Sequence, residues 1–311
     1  MSATTTPAST PPRPPQGAQE VYDAVRARYA AAAQAGGNTG CGCAAPAQSK
    51  APVALCCGGP AATAEPAPAE HGCCGGSTCG PSSSLLGYAA DDLAKLPGGA
   101  DLGLGCGNPL ASAEPKRGET VLDLGSGAGI DCFMAAELVG PMGRVIGVDM
   151  TPEMIARARV NASAPSERHA GGYANVEFRL GQIEALPVAD ASVDLVVSNC
   201  VVNLSPDKAR VWREVFRVLR PGGRVAISDV VATAELPESV REDLALLAGC
   251  IGGAATIGEV ERDLREAGFE GVRITPKTGS RELIRTWAPG RRVEEYVVSA
   301  LVTARRPARS P

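Results

Sequence analysis

The stretch Thr120-Val-Leu-Asp-Leu-Gly-Ser-Gly-Ala-Gly-Ile130 runs from an apolar segment straight into three glycines at every second position. A short run of β-branched residues and leucine at Val121, Leu122 and Leu124 suits a strand buried on both faces in a parallel sheet. Gly125, Gly127 and Gly129 then let the backbone turn sharply and approach a ligand closely. The stretch reads as the first strand and ligand-binding turn of a nucleotide-binding α/β domain.

The next segment, Arg144-Val-Ile-Gly-Val-Asp-Met150, reads as a second strand with an acid at its end. A carboxylate there can accept hydrogen bonds from both hydroxyls of a ribose, so Asp149 is the expected ribose ligand. A dinucleotide fingerprint wants glycine at position 130, where this chain has Ile130, and no Lys-Ser or Lys-Thr pair follows the glycines as a phosphate loop requires. The pattern Asp123-x-Gly-x-Gly-x-Gly129 instead resembles the S-adenosylmethionine-dependent methyltransferases. That resemblance implies that Asp123, Gly125, Ser126, Gly127, Gly129, Asp149 and Met150 surround a methyl donor. The bland alternative is a tight strand-to-helix turn with no ligand.

Outward from this centre, strands and helices alternate. A helix is predicted from Ile130 to Leu138, ending before Gly140-Pro141, and a second starts with Thr151 as N-cap and Pro152 at the first helical position. Asn175-Val-Glu-Phe-Arg-Leu180 alternates like a strand and delivers Gly181-Gln-Ile-Glu-Ala-Leu-Pro187. In methyltransferases of this type that turn touches adenine, which makes Gln182, Ile183 and Glu184 candidates. Val193 to Ser198 is a fourth strand leading to Asn199, a further donor-site candidate. A helix from Lys208 to Leu219 stops at Arg220-Pro-Gly-Gly223, and Arg224 to Val231 is a fifth strand. Pro237 to Gly249 reads as one helix with Val240, Leu244 and Leu247 on a face. Thr256-Ile-Gly-Glu259 forms a capping box for a helix reaching Ala267. Val272 to Thr275 and Glu295 to Ala304 complete a doubly wound, mostly parallel seven-stranded sheet of methyltransferase type, its last pair an antiparallel edge. The expected division is a weakly ordered Ala/Pro/Gly/Cys-rich tail over 1–84, a donor-binding core over 85–235 and a substrate-side region over 236–307.

The 311 residues carry a formal charge of -4, with a pI near 5.4, and only 4% are aromatic. This excludes a basic nucleic-acid or anionic-membrane surface and disfavours base stacking. No run has the length of a membrane span and no secretory leader is evident, so the expectation is a cytoplasmic monomer acting on a small substrate. Eleven cysteines there read as reduced thiols with a binding or redox task, not as a disulfide framework. In the tail, Glu20 to Ala33 is a short helix with Val21, Val25, Arg28 and Tyr29 at helical spacing. After it, Cys41, Cys43, Cys56, Cys57, Cys73, Cys74 and Cys79 lie in Gly/Ala/Pro-rich sequence without paired C-x-x-C arms. A zinc site, a soft-metal trap and an idle linker all remain open for them. Ser84 to Leu96 enters the folded part, with a helix over Asp91 to Leu96. Ala100 to Pro109 is a glycine-rich loop over the donor site, with Cys106 at its tip.

Cys132 falls in the first turn of the helix after the glycines, where the dipole and free N–H groups favour a thiolate. Cys200 follows the fourth strand beside the expected methyl donor, and Cys250 ends the later substrate-side helix. Thiols converging on a methyl donor suggest a thiophilic acceptor. The segments Gly103-Leu-Gly-Cys-Gly-Asn-Pro109, Val121 to Cys132, Ser198-Asn-Cys-Val-Val-Asn-Leu204 and Gly249-Cys-Ile-Gly-Gly-Ala254 together resemble the bacterial arsenite methyltransferase family over roughly 87–307. The resemblance implies methyl transfer from S-adenosylmethionine to trivalent arsenic, giving methylated arsenicals, with thioredoxin or glutathione as reductant. It implies that Cys200 and Cys250 bind arsenic, that Cys132 joins them or acts in redox, and that Cys106 is a further such position. The elongated stretch between Gly36 and Pro68 departs from the compact family tail. Two other readings share parts of the pattern: a methyltransferase for a small carbon or oxygen acceptor, which would want a base, and a non-enzymatic metalloid-binding protein, which would not need Asp149 or the glycine turn.

Overall fold

The structure, a computed structural model, describes residues 17–36, 83–165 and 169–308. The seven tail cysteines from Cys41 to Cys79, and with them the open choice between zinc, soft metal and linker, lie outside the described residues.

Seven strands form one sheet: β1 (Thr120–Leu124), β2 (Arg144–Asp149), β3 (Val176–Leu180), β4 (Val193–Asn199), β5 (Leu219–Ala232), β6 (Glu270–Lys277) and β7 (Val297–Arg305). Their order is β3-β2-β1-β4-β5-β7-β6, parallel except that β7 runs antiparallel to both neighbours. β1 is central, with Leu122 opposite Ile146 on one side and Val196 on the other. Its side chains alternate between two buried faces. Leu122 and Leu124 join Trp212, Val215 and Leu264 from helices Lys208–Val218 and Ile257–Glu266. Val121 joins Phe133, Ile155 and Ala158 from helices Ile130–Val139 and Pro152–Ser163. Each fully buried leucine or phenylalanine contributes about 1.5–3 kcal/mol, which fixes this register strongly.

The expected capping box at Thr256 and Glu259 is present in both directions. The single helix expected over 237–249 is instead two short turns, Glu238–Arg241 and Leu244–Ala248. Asp243 explains the break, since its carboxylate accepts hydrogen bonds from the N–H groups of Ala245 and Leu246 and so caps a new start. Leu246 and Ala248 are buried there, while Leu244 is exposed. β5 passes through Arg220 to Gly223 without ending, and the register shift beside Val193 and Leu195 absorbs the extra residues. The last strand starts at Val297, because Val293–Glu295 forms a 3-10 turn.

The helix expected at 20–33 spans Ala18–Ala35, here α1, and it packs on the domain. Its Val25 is buried among residues at the carboxyl ends of β4 and β5, and its Ala32 and Ala33 meet Leu102 and Met154. Two polar anchors hold it: the Tyr22 hydroxyl donates to Glu184 at 3.0 Å, and Arg157 donates to the carbonyl of Ala33 at 2.8 Å. Among the described residues, no helix is long and apolar enough to cross a membrane.

Candidate active site

The strand order reverses between β1 and β4, and the carboxyl ends of β1, β2 and β4 open there on a cavity of about 970 Å³, its open mouth included. One end of the cavity is built by the glycine turn and the end of β2. Asp149 is held at both carboxylate oxygens, accepting from the N–H of Gly127 at 3.0 Å and of Thr151 at 2.8 Å. Each oxygen keeps a further lone pair for a ligand. Burial raises the Asp149 pKa, and the N–H donors of Thr151 and Gly127 oppose that rise. The three glycines turn out to do different work. A Cβ on Gly127, at φ +52°, would meet nothing nearer than Met154 at 4.0 Å, so this backbone is open to a ligand. A Cβ on Gly125 would strike Val201 at 2.3 Å, and one on Gly129 would strike Phe133 and Phe178 at 2.6 and 2.8 Å. Both positions are therefore closed to a side chain by packing, but Gly125 also lines the cavity, whereas Gly129 does not. The buried Ser126 Oγ lines the cavity with no protein partner, an orphan that a bound molecule would satisfy.

Met150, Ile183 and Glu184 also line this cavity, whereas Gln182 does not and instead bridges to Ala185. Glu184 is already engaged. It accepts from Tyr22 at 3.0 Å and from the Ser205 hydroxyl, and so anchors α1 over the cavity.

Beneath the donor end lie two buried acids, Asp123 and Asp131. Burial, then the neighbouring Asp131, pushes the Asp123 pKa well up, and burial raises Asp131 to about 6 against hydrogen bonds from Tyr88 and Asn199. Tyr88 donates to Asp131 at 2.9 Å. Asn199 lines the cavity, but its amide is spent within the protein. Its Oδ1 accepts from the N–H of Cys106 at 2.9 Å, and its Nδ2 donates to the Tyr88 hydroxyl and to the carbonyl of Gly107. Asn199 therefore clamps the glycine loop to β4, and a Cβ on Gly105 would collide with it at 2.6 Å.

Cys132 departs from expectation. It is completely buried under helix Ile130–Val139, its thiol donates to Asp123 at 3.3 Å, and it lines no part of the cavity. Burial, with Asp123 and Asp131 adding to it, drives its pKa well above that of an ordinary thiol. Desolvation and two like charges outweigh the helix dipole there. Cys132 thus stands apart from the other thiols.

Those other thiols do meet. Cys106, in the loop over the donor site, is buried, with its carbonyl accepting from Ser299 at 2.7 Å and its sulfur 3.8 Å from the Ser228 hydroxyl. Cys200 lines the far end of the cavity, its sulfur within 4.8 Å of that of Cys106 and packed in one cluster with Cys250. The Cys250 thiol also donates to the Cys200 carbonyl at 2.6 Å. Hydrogen bonds from Cys106 and Cys250, together with burial, push the Cys200 pKa well up. Both Cys200 and Cys250 adopt left-handed backbone, with φ of +62° and +66°. Such a conformation costs a non-glycine residue about 1–2 kcal/mol and clusters at functional sites. The turn carrying Cys250 reaches Cys200 because Gly253 lies flat on Asn203, where a Cβ would sit 2.1 Å from its carbonyl oxygen. Tyr29 of α1 completes the group. It lines the cavity and packs against the cluster that holds Cys200 and Cys250, and burial, then the two cysteines, raise its pKa. The stripe Val21, Val25 and Tyr29 was the one sequence signal for it. Asp131, Tyr88 and Asp229 had none.

The sheet with its antiparallel β7, the glycine turn after β1 and the acid ending β2 define an S-adenosylmethionine-dependent methyltransferase fold. The family model described as a methyltransferase domain matches residues 115–268. An arsenite methyltransferase of Halobacterium salinarum is 55% identical over 240 residues, covering 77% of this chain and 60% of that protein. Another, of Aquipseudomonas alcaligenes, is 48% identical over 50% of this chain and 45% of its own length. The chain thus spans about half the length of these curated relatives. The solved structure of CrArsM, an arsenic(III) S-adenosylmethionine methyltransferase of Chlamydomonas reinhardtii, superimposes with a TM-score of 0.57 at 36% identity, covering 73% of each chain. The chain belongs to the arsenic(III) S-adenosylmethionine methyltransferase family.

Proposed function

We propose that this protein transfers methyl groups from S-adenosylmethionine to trivalent arsenic held on its own thiols, giving methylated arsenicals. The observation that carries the proposal is the meeting of Cys106, Cys200 and Cys250 at the far end of the donor cavity. The residues at the other end fit the donor. Asp149 has lone pairs for a ribose, Gly127 and Ser126 offer open backbone and an unpaired hydroxyl, and Asp123 and Asp131 line the wall as acceptors for an ammonium group. When bound, S-adenosylmethionine supplies an electrophilic methyl group on a sulfonium.

Arsenite exchanges its three hydroxyls for the three thiols, releasing three waters and no proton. Thiols held in the protonated form, as the raised Cys200 is, suit this exchange. The bound arsenic is pyramidal with a free lone pair, so it needs no base to become a nucleophile. No histidine is among the described residues that line the cavity. The protein's task is then positioning, with the thiols fixing the arsenic in line with the methyl group. As the arsenic–carbon bond forms, arsenic passes formally from trivalent to pentavalent, and two electrons from a thiol reductant such as thioredoxin or glutathione restore the trivalent state. We place this chemistry in a cytoplasmic monomer, with 85–235 as the donor-binding core and 236–307 as the substrate-side region.

The test is arsenic speciation by chromatography after incubation with arsenite, S-adenosylmethionine and a dithiol. Methylated arsenic is expected from the wild-type chain and not from Cys200→Ser. A wild-type chain that binds the donor but yields no methylated arsenic would overturn the proposal and turn attention to small organic acceptors.

A further inference from the structure

The thiol cluster contains a group that arsenic chemistry does not use. Asp229, at the end of β5 and buried, has a carboxylate oxygen that lies with the sulfurs of Cys106 and Cys200 so that all three are within 4.8 Å of one another. One oxygen of Asp229 is occupied, accepting from Asn203 Nδ2 at 2.9 Å and from the Val230 N–H at 2.8 Å. The other accepts from the Asn203 N–H over a longer 3.3 Å. Two thiols and a carboxylate thus lie together, and the Cys250 thiol, which donates to the Cys200 carbonyl at 2.6 Å, stands beside them as a candidate third sulfur. Thiolate-rich tetrahedral sets select ions of the zinc and cadmium type, whereas an arsenic(III) centre is already complete with three sulfurs. Bonds of about 2.3 Å to sulfur and ~2.1 Å to oxygen require ligand atoms under about 4 Å apart, which rotation of a thiol about its Cα–Cβ bond can reach.

We propose that Cys106, Cys200 and Asp229 form a binding site for a soft divalent cation, with Cys250 as fourth ligand, and that a cation seated there excludes arsenite. The exclusion rests on the arsenic assignment above; the binding itself does not. The balance differs from arsenite uptake in a measurable way. Each thiol that binds a divalent cation gives up its proton to solvent, so cation affinity rises with pH, while arsenite exchange releases water alone. The carboxylate and the Lys208 side chain beside it set the charge of the loaded site.

The experiment uses the full chain with Cys41, Cys43, Cys56, Cys57, Cys73, Cys74 and Cys79 replaced by serine, because the tail thiols would bind the probe as well. Cadmium chloride alone is titrated in and followed by the ultraviolet thiolate-to-metal charge-transfer band. One equivalent is expected to bind, with affinity rising with pH. Asp229→Asn is expected to weaken cadmium binding by at least about tenfold, the loss typical when a group supporting a metal is removed. The same variant should keep the parent's affinity for arsenite. No band in the parent, or equal cadmium affinity in parent and Asp229→Asn, would overturn the proposal. Should Asp229→Asn fail to fold, cadmium NMR of the parent decides: a resonance in the mixed sulfur–oxygen range supports the site, and a sulfur-only position overturns it. Methylation assays with cadmium present then test the exclusion separately. Inhibition relieved by excess arsenite is expected, and inhibition indifferent to arsenite would overturn that part.

Discussion

The two ends of the cavity are made in opposite ways. The donor end comes from one short stretch of chain, Asp123 to Thr151, in which a strand, a turn and a second strand each place their own polar group. The thiol end is assembled from Cys106, Cys200 and Cys250, with Tyr29 closing over them, and each comes from a different segment of the chain. The donor end is accordingly wired by local hydrogen bonds. The thiol end depends on long-range devices: the Asn199 clamp, the Gly253 contact and the packing of α1. If that division is real, substitutions should separate donor binding from arsenic binding.

Cys200→Ser should show the largest effect. Loss of one arsenic ligand misplaces the nucleophile, and methylation should fall by about two orders of magnitude or more while donor affinity, read by calorimetry, stays unchanged. Asp149→Ala is the mirror experiment. Losing charge-assisted hydrogen bonds at ~1.5–3 kcal/mol should weaken donor binding about 10- to 100-fold and leave arsenite binding intact. Asn199→Ala probes the wiring between the ends. It removes three hydrogen bonds at ~0.5–1.5 kcal/mol each, so denaturant unfolding should show a stability loss of that order, and arsenite affinity should drop more than donor affinity.

The ends should also differ in their response to pH. Asp131, raised to about 6 by burial, is an anion above that value and attracts the donor's ammonium. Donor affinity should therefore be full above about pH 6 and decline as pH falls through it. Arsenite affinity, with no proton exchanged, should stay flat across the same range. The smallest effect belongs to Cys132→Ala, which should cost ~1 kcal/mol or so of stability through a small cavity and leave arsenite binding where it was. A large loss of arsenite binding in Cys132→Ala would erase the distinction between the thiols.

The same division explains what could be read from the sequence. The sheet, the glycine turn, Asp149 and the Thr256 capping box were legible because each depends on neighbours a few residues away. Cys200 and Cys250 were legible from their motifs. The grouping of the thiols was not. Cys132 sits six residues beyond Ser126 in the chain, yet helix Ile130–Val139 turns it onto the sheet face beneath Asp123. Cys106 read as a loop tip, yet Asn199 draws its backbone down onto β4 and Ser299 holds its carbonyl. The partners of Cys106 lie 93 and 193 residues away, and no local pattern records them. Glu184, read as an adenine contact, does line the cavity, but the long-range bonds of its Oε1 to Tyr22 and Ser205 had no signal in the sequence.

Arsenic X-ray absorption on the arsenite-loaded chain, with the seven tail cysteines replaced by serine, tests the thiol grouping most directly. Three sulfur neighbours are expected around arsenic, falling to two in Cys106→Ser and remaining three in Cys132→Ser. The reverse pattern, a sulfur lost with Cys132 and none with Cys106, would contradict the site described here.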